Sequence, residues 1–154
     1  MNKSVNILLI EDNPDHAELI IRSFQNFQGT DCIYHIADGA TALDYLFRRG
    51  KYAAVKDAYP QVVLLDLRLP KIDGLHVLGE LKADPKLRCI PVVILTTSDA
   101  DRDLDRAYQL YVNSYLVKPV DLGGFKRLMC ELGSYWLGWN RRPGASRAAL
   151  SGPV

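Results

Sequence analysis

Cysteine is scarce in this chain: 154 residues hold only Cys32, Cys89 and Cys130. The three are odd in number, far apart and form no CxxC pair, which argues against a disulfide framework and a zinc knuckle and suits a reducing cytosol. Long apolar runs are missing as well. Purely aliphatic stretches stop at four residues, Val62 to Leu65 and Val92 to Leu95 among them, against the ~18 apolar residues that span a bilayer. Met1-Asn2-Lys3-Ser4 leads straight into a strand-like run with no long apolar segment of a signal peptide, so the expectation is a cytoplasmic protein with no membrane partner. There is no internal repeat and no GxGxxG, Walker A or GxSxG pattern. An excess of one charge is also absent: the formal net charge is +1, which gives no general pull toward nucleic acid.

The charge that exists is unevenly placed. Residues 1–139 carry 16 basic and 18 acidic side chains, a net of −2, whereas residues 140–154 carry Arg141, Arg142 and Arg147 and no acid. With its Gly, Pro, Ser and Ala, the second stretch reads as a flexible basic tail on a domain of residues 1–139. Over the whole chain, 48% hydrophobic and 24% charged residues are globular proportions, and the length suffices for a core without staples.

A strand signal followed by a helix signal occurs five times. The strands read as Val5 to Ile10, Cys32 to Ala37, Gln61 to Leu65, Pro91 to Leu95 and Ser114 to Val117. Asn13-Pro14 reads as the cap and first residue of a helix whose Ala17, Ile20, Ile21 and Phe24 form one apolar face. Asp38-Gly39, Asp73-Gly74 and Asp121 open further helices, and residues 48–60 form a longer polar connection. Alternating strands and helices imply right-handed crossovers and a parallel sheet covered on both faces. In such sheets, ligands bind beyond the carboxyl ends of the strands.

Those ends carry chemistry. Glu11-Asp12 follows the first strand, Asp66 the third, Thr96-Thr97-Ser98 closes the fourth, and Lys118-Pro119 follows the fifth. Three carboxylates converging on one small site call for a cation. Mg²⁺ suits one or two carboxylates plus waters and a phosphoryl oxygen. Lys118 supplies a positive charge for a phosphoryl group and Thr96 a hydroxyl donor. Carboxylate, metal and lysine together make phosphoryl transfer to Asp66 the expected chemistry.

At these residues the sequence resembles the receiver domains of two-component response regulators, over nearly all of residues 5–135. The motifs are Leu9-Ile10-Glu11-Asp12, Leu64 to Pro70 with Asp73-Gly74, Pro91 to Thr97, and Tyr115 to Pro119. The resemblance implies a flavodoxin-like (βα)5 doubly wound five-stranded parallel sheet, strand order 2-1-3-4-5. It implies that Asp66 is the phosphoacceptor, charged by a sensor histidine kinase. By the same resemblance Asp12 ligates Mg²⁺ directly, Glu11 mostly through water, and the Arg68 backbone carbonyl completes the protein's share. Thr96 is then the switch hydroxyl, Tyr115 the aromatic reporter, Lys118 the phosphate partner, and Lys118–Pro119 a cis peptide. Within receivers the chain is most similar to the stand-alone regulators associated with phytochromes, through Leu95 to Ser98, Tyr108 to Tyr115, the 48–60 connection and Ser134 to Leu137, so a bacterial phytochrome is the expected kinase. Two departures stand out. Thr97 replaces the small residue many receivers carry after the switch threonine, which crowds the phosphoryl pocket. Leu110-Tyr111-Val112 replaces a small-residue turn before Tyr115 and alters the surface around helix 4.

Other patterns weigh less. Asp99, Asp101, Asp103 and Asp105 alternate as in a calcium loop, but the sixth position is Leu104 and the twelfth Leu110; these acids are expected to cap and start helix 4. His16 reads as a surface residue or as part of a kinase-docking face. A phosphoaspartyl hydrolase commonly carries a second acid two residues after its nucleophile, where this chain has Arg68. A receiver-fold binding module without phosphotransfer remains the alternative, and no enzymatic or DNA-binding output is expected within the chain. Finally, Phe125, Met129, Leu132, Trp136 and Trp139 are spaced 4, 3, 4, 3. With Tyr135 they are expected to bury in a second copy, giving a homodimer through helix 5 and its extension.

Overall fold

A computed structural model describes residues 7–25 and 33–141. The elements run β1 (Ile7–Ile10), α1 (Pro14–Phe24), β2 (Ile33–Ile36), α2 (Gly39–Leu46), β3 (Val62–Leu65), α3 (Gly74–Ala83), β4 (Val92–Thr96), α4 (Asp101–Gln109), β5 (Ser114–Val117) and α5 (Leu122–Gly133), with a π-helical turn at Ser134–Trp139. All strands pair in parallel, in the order β2-β1-β3-β4-β5. This is the flavodoxin-like fold expected from the sequence. The expected tail lies outside the described residues beyond Arg141, as does Cys32.

Strand parity divides the core in two, because successive side chains point to opposite faces. Leu8, Ile10, Val63, Leu65, Val92 and Ile94 face α2, α3 and α4, packing with Ala42, Leu43, Leu46, Val77, Leu78, Leu81 and Ala107. Ile7, Leu9, Val62, Leu64, Val93 and Leu95 face α1 and α5, packing with Ala17, Ile20, Phe24, Phe125, Met129 and Leu132. Burial on both faces is why β1, β3 and β4 are aliphatic at every position but Thr96, the last of β4.

The helix starts follow their caps. Asn13 accepts from the Asp15 and His16 amides with Pro14 in the first turn, Asp38 from Thr41, Asp73 from His76 and Asp121 from Gly124. α4 departs from expectation. Its cap is Ala100, with no side-chain bond, and Asp103 turns inward instead.

Two more expectations are corrected. Phe125, Met129 and Leu132 are buried within the chain itself, at 5%, 0% and 5% exposure, and Trp136 packs partly against the same cluster. The stripe is the face by which α5 covers the sheet and α1, so these side chains are not available to a second copy. Tyr135 and Trp139 stay exposed, at 53% and 82%. Nor is Lys118–Pro119 cis; the described residues contain no cis peptide bond. Trans is the intrinsic preference of an X–Pro bond, and with it Lys118 still donates its amide to the Thr96 carbonyl at 2.7 Å.

The long connection between α2 and β3 is built on tyrosine. The Tyr34 and Tyr45 rings stack at 4.8 Å, and Tyr52 meets Tyr45 edge-on. The Arg48 guanidinium lies 4.7 Å from both the Tyr45 and Tyr59 rings and donates to the carbonyls of Tyr45 and Asp57.

Candidate functional site

Register brings the strand ends together. Ile10 pairs with Leu65, Leu65 with Ile94, and Thr96 with Val117. The next residues, Glu11, Asp66 and Lys118, therefore leave the sheet side by side. Backbone bonds hold them there: Glu11 N–H donates to the Ile36 carbonyl and Asp66 N–H to that of Ile10, both at 3.0 Å. Gly74 permits a tight fit behind Asp66, since a Cβ there would lie 2.3 Å from the Asp66 carbonyl oxygen.

Lys118 is at the centre, 6% exposed. Its Nζ donates to Glu11 Oε2 at 2.7 Å and to Asp66 Oδ2 at 2.9 Å, and lies 2.9 Å from His16 Nδ1. Asp66 Oδ1 accepts from the Arg68 amide at 3.1 Å, and Glu11 Oε1 from the Asn13 amide at 3.1 Å. The two buried carboxyls respond differently. Burial pushes Glu11 up to about 7, with Asp66 adding to the rise and Lys118 opposing it. Burial acts on Asp66 too, but the Lys118 charge and hydrogen bond outweigh it and hold Asp66 below the usual carboxylate range.

Ligand atoms of Glu11, Asp12 and Asp66 lie within 4.8 Å of one another. Asp12 is exposed and accepts no hydrogen bond among the described residues. Neither does the Arg68 carbonyl, whereas the neighbouring Leu67 carbonyl accepts from Leu69 and Gly74. Two buried carboxyls against one lysine, an open carboxylate and an open carbonyl form a donor set of oxygens suited to a hard divalent cation.

Thr96 is fully buried, its Oγ1 accepting from the Ser98 amide at 3.3 Å. Thr97 is exposed and lines a neighbouring groove with His16 and Lys118. Tyr115 donates its hydroxyl to the Ser98 carbonyl at 2.9 Å, and burial pushes its pKa up. The expected residues Glu11, Asp12, Asp66 and Lys118 thus gather in one place, with the Arg68 carbonyl on the loop after β3 and Thr96 at the end of β4.

Four side chains take part in ways not legible in the sequence, those of His16, Ser98, Arg68 and Asp103. His16 is drawn to Lys118. Ser98 donates its hydroxyl to Asp103 Oδ2 at 2.6 Å, and Arg68 Nη2 donates to the same oxygen at 3.2 Å. Asp103, 7% exposed, thereby ties α4 to the loops that follow β3 and β4. The available signal was its position: it is the one acid of the run placed one turn before the buried Ala107.

The family profile of the response regulator receiver domain matches residues 7–128. The chain belongs to the response regulator receiver family. It is 51% identical over 138 residues to the probable methanogenesis regulatory protein FilR2 of Methanothrix harundinacea (strain 6Ac), covering 90% of this chain and 87% of that one. The crystal structure of the phosphorylated cyanobacterial phytochrome response regulator RcpA superposes with a TM-score of 0.86 at 36% identity, over 92% of this chain and all (100%) of that chain. The Mn²⁺-bound form of response regulator Rcp1 gives a TM-score of 0.86 at 35% identity, over 91% and 99%. This receiver is thus related to phytochrome response regulators, and its acidic pocket is of a kind that could hold a divalent metal. Among its described residues, no helix is long and apolar enough to cross a membrane.

Proposed function

We propose that this receiver accepts a phosphoryl group on Asp66 from a sensor histidine kinase, with Mg²⁺ held by Asp12, Asp66, the Arg68 carbonyl and, through water, Glu11. The observation that carries the reading is the Asp66 carboxylate at a strand end, nearly buried, with Lys118 at 2.9 Å and two further carboxyls beside it. In the transfer, an Asp66 oxygen forms a bond to phosphorus as the donor's nitrogen–phosphorus bond breaks. The leaving imidazole keeps that electron pair and takes up a proton. Mg²⁺, when bound, supplies positive charge against the phosphoryl oxygens. Lys118 follows the negative charge from Asp66 Oδ2 to the phosphoryl group, and the Thr96 hydroxyl, whose oxygen accepts from the Ser98 amide, moves to donate its proton to a phosphoryl oxygen.

The acyl phosphate adds about two negative charges. Ser98 is bonded at once to Thr96, Asp103 and Tyr115, so moving Thr96 perturbs α4 and β5 and shifts their equilibrium. Signal leaves through protein contacts in the cytoplasm rather than through turnover of a substrate. We assign the kinase to the phytochrome type on the likeness to RcpA and Rcp1; the likeness to FilR2 makes a kinase with a metabolic input the competing partner. We also propose a homodimer, carried by the exposed Tyr135 and Trp139 and the outer edge of Trp136.

The test is intact-protein mass after incubation with acetyl phosphate, with Mg²⁺ or chelator, for wild type and Asp66→Asn. The expected result is a Mg²⁺-dependent gain of about 80 Da in wild type alone. A gain that persists in Asp66→Asn overturns the acceptor assignment. No gain in wild type, with acetyl phosphate or with a kinase, leaves a binding module with the receiver fold.

A further inference from the structure

We infer that His16 is a positioning residue for the phosphotransfer, holding the Lys118 ammonium at the site while the other two acceptors of that ammonium change partners. The inference rests on the reading of Asp66 as phosphoacceptor.

An ammonium has three N–H donors and no acceptor. Lys118 is buried, and three atoms stand at hydrogen-bond distance from its Nζ: Glu11 Oε2 at 2.7 Å, Asp66 Oδ2 at 2.9 Å and His16 Nδ1 at 2.9 Å. Since the ammonium can only donate, Nδ1 must accept, which puts the imidazole proton on Nε2. Every donor is then used and no buried charge is left unpaired.

The three acceptors are not equivalent. Asp66 Oδ2 is on the group that receives phosphorus, and esterification removes the carboxylate charge that attracts the lysine. Glu11 belongs to the carboxyl trio that a divalent cation competes for. His16 comes from α1, outside that trio, and neither event alters its lone pair. It is therefore the acceptor that persists through the cycle.

His16 is also well anchored. Its amide donates to the Asn13 side chain at 3.2 Å, and the next residue, Ala17, is 2% exposed against the sheet. A lysine stem of four methylenes has much rotamer entropy to lose, so a third fixed contact restricts where the charge can go, and placement of that charge is what the transfer needs from the protein. His16 and Lys118 both line an open groove of about 570 Å³ with Leu19, Val117, Val120 and Leu122, so removing the imidazole would let water compete for the ammonium.

Two substitutions separate positioning from mere structure. In His16→Asn, the amide oxygen is as many bonds from the backbone as Nδ1 and restores an acceptor. In His16→Leu, a methyl stands there. The first readout is the ¹⁵N signal of the Lys118 ammonium in protein free of metal and phosphate. It is expected to be sharp in wild type and His16→Asn and lost to rapid exchange in His16→Leu. The second is the rate of Asp66 labelling by acetyl phosphate at saturating Mg²⁺. His16→Leu is expected to lower the limiting rate about tenfold, with the half-saturating donor concentration unchanged, as for a lost bond to a charged group. His16→Asn is expected to return it to within about twofold. Wild-type labelling with His16→Leu equally fast overturns the role of His16 and leaves Asp66 as acceptor. So does His16→Asn as slow as His16→Leu. Failure of wild type itself to label, with acetyl phosphate and with a kinase alike, overturns the acceptor reading and this inference with it, even where the ammonium signal behaves as expected.

Discussion

The pocket around Lys118 holds two carboxyls and one ammonium, and the imbalance falls on Glu11. Its pKa in the folded chain stands at about 7, against an ordinary value of 4.5, because of burial first and the Asp66 charge after it. A carboxyl that binds its proton more tightly when folded stabilises the fold most at low pH, and that contribution disappears as pH rises through about 7. His16, held below its ordinary value by burial and then by Lys118, titrates in the opposite sense: neutral in the fold, it adds stability as pH rises. The contribution of Glu11 is therefore read as a difference. Without Mg²⁺, Glu11→Gln should match wild type near pH 5 and exceed it by about 1–3 kcal/mol at pH 8 in urea unfolding. An unchanged difference across that range would remove Glu11 as the raised group. At this scale the sequence was informative wherever a functional residue directly follows a strand. It offered His16 only as a surface or kinase-docking residue, because its partner Lys118 lies 102 positions away.

Among the elements, α5 and α4 show where periodicity stops being informative. The 4-3-4-3 spacing on α5 correctly marks an apolar face, but spacing carries no record of what covers it, and the sheet and α1 take that place. α4 presents the converse: its alternating acids look like caps, and Asp103 is instead a buried acceptor for Ser98 and Arg68, a role fixed by loops distant in sequence. The two parts of the α5 stripe should separate experimentally. Met129→Ala should lower stability by about 2–5 kcal/mol without changing the sedimentation behaviour of the protein. Trp139→Ala should leave stability within about 0.5 kcal/mol and weaken self-association. Sedimentation as a monomer at ~100 μM with or without phosphorylation, a concentration at which a dimer of micromolar affinity is populated, would sink the homodimer.

For the whole molecule, alternation of strand and helix signals carried most of the architecture, since burial on both faces leaves continuous aliphatic runs that no amphipathic pattern imitates. The ends of β2 were harder to read, as Ile33 and Tyr34 are only partly buried, His35 is exposed and Ile36 is its buried residue. Stability and the site are linked through the same strands. The carboxyls of Glu11 and Asp66 extend the two central strands β1 and β3, so a cation that binds them should resist global unfolding. Free Mg²⁺ at about 100 times its dissociation constant should add about 2.7 kcal/mol to wild type, and chelator should remove it. Asp12→Ala, which takes away an open ligand while sparing the core, should abolish most of that gain; retention of the full gain would place the cation elsewhere.

The tyrosine-lined connection between α2 and β3 has a consequence for how such a chain can vary. It enters β3 at the amino end, whereas each loop that builds the site leaves a strand at the carboxyl end. Length can change at one pole of the sheet without shifting the register that aligns Glu11, Asp66 and Lys118 at the other. Insertions accumulated by descent, or a reporter domain grafted by an experimenter, belong in that connection, where the phosphorylation chemistry would not register their presence.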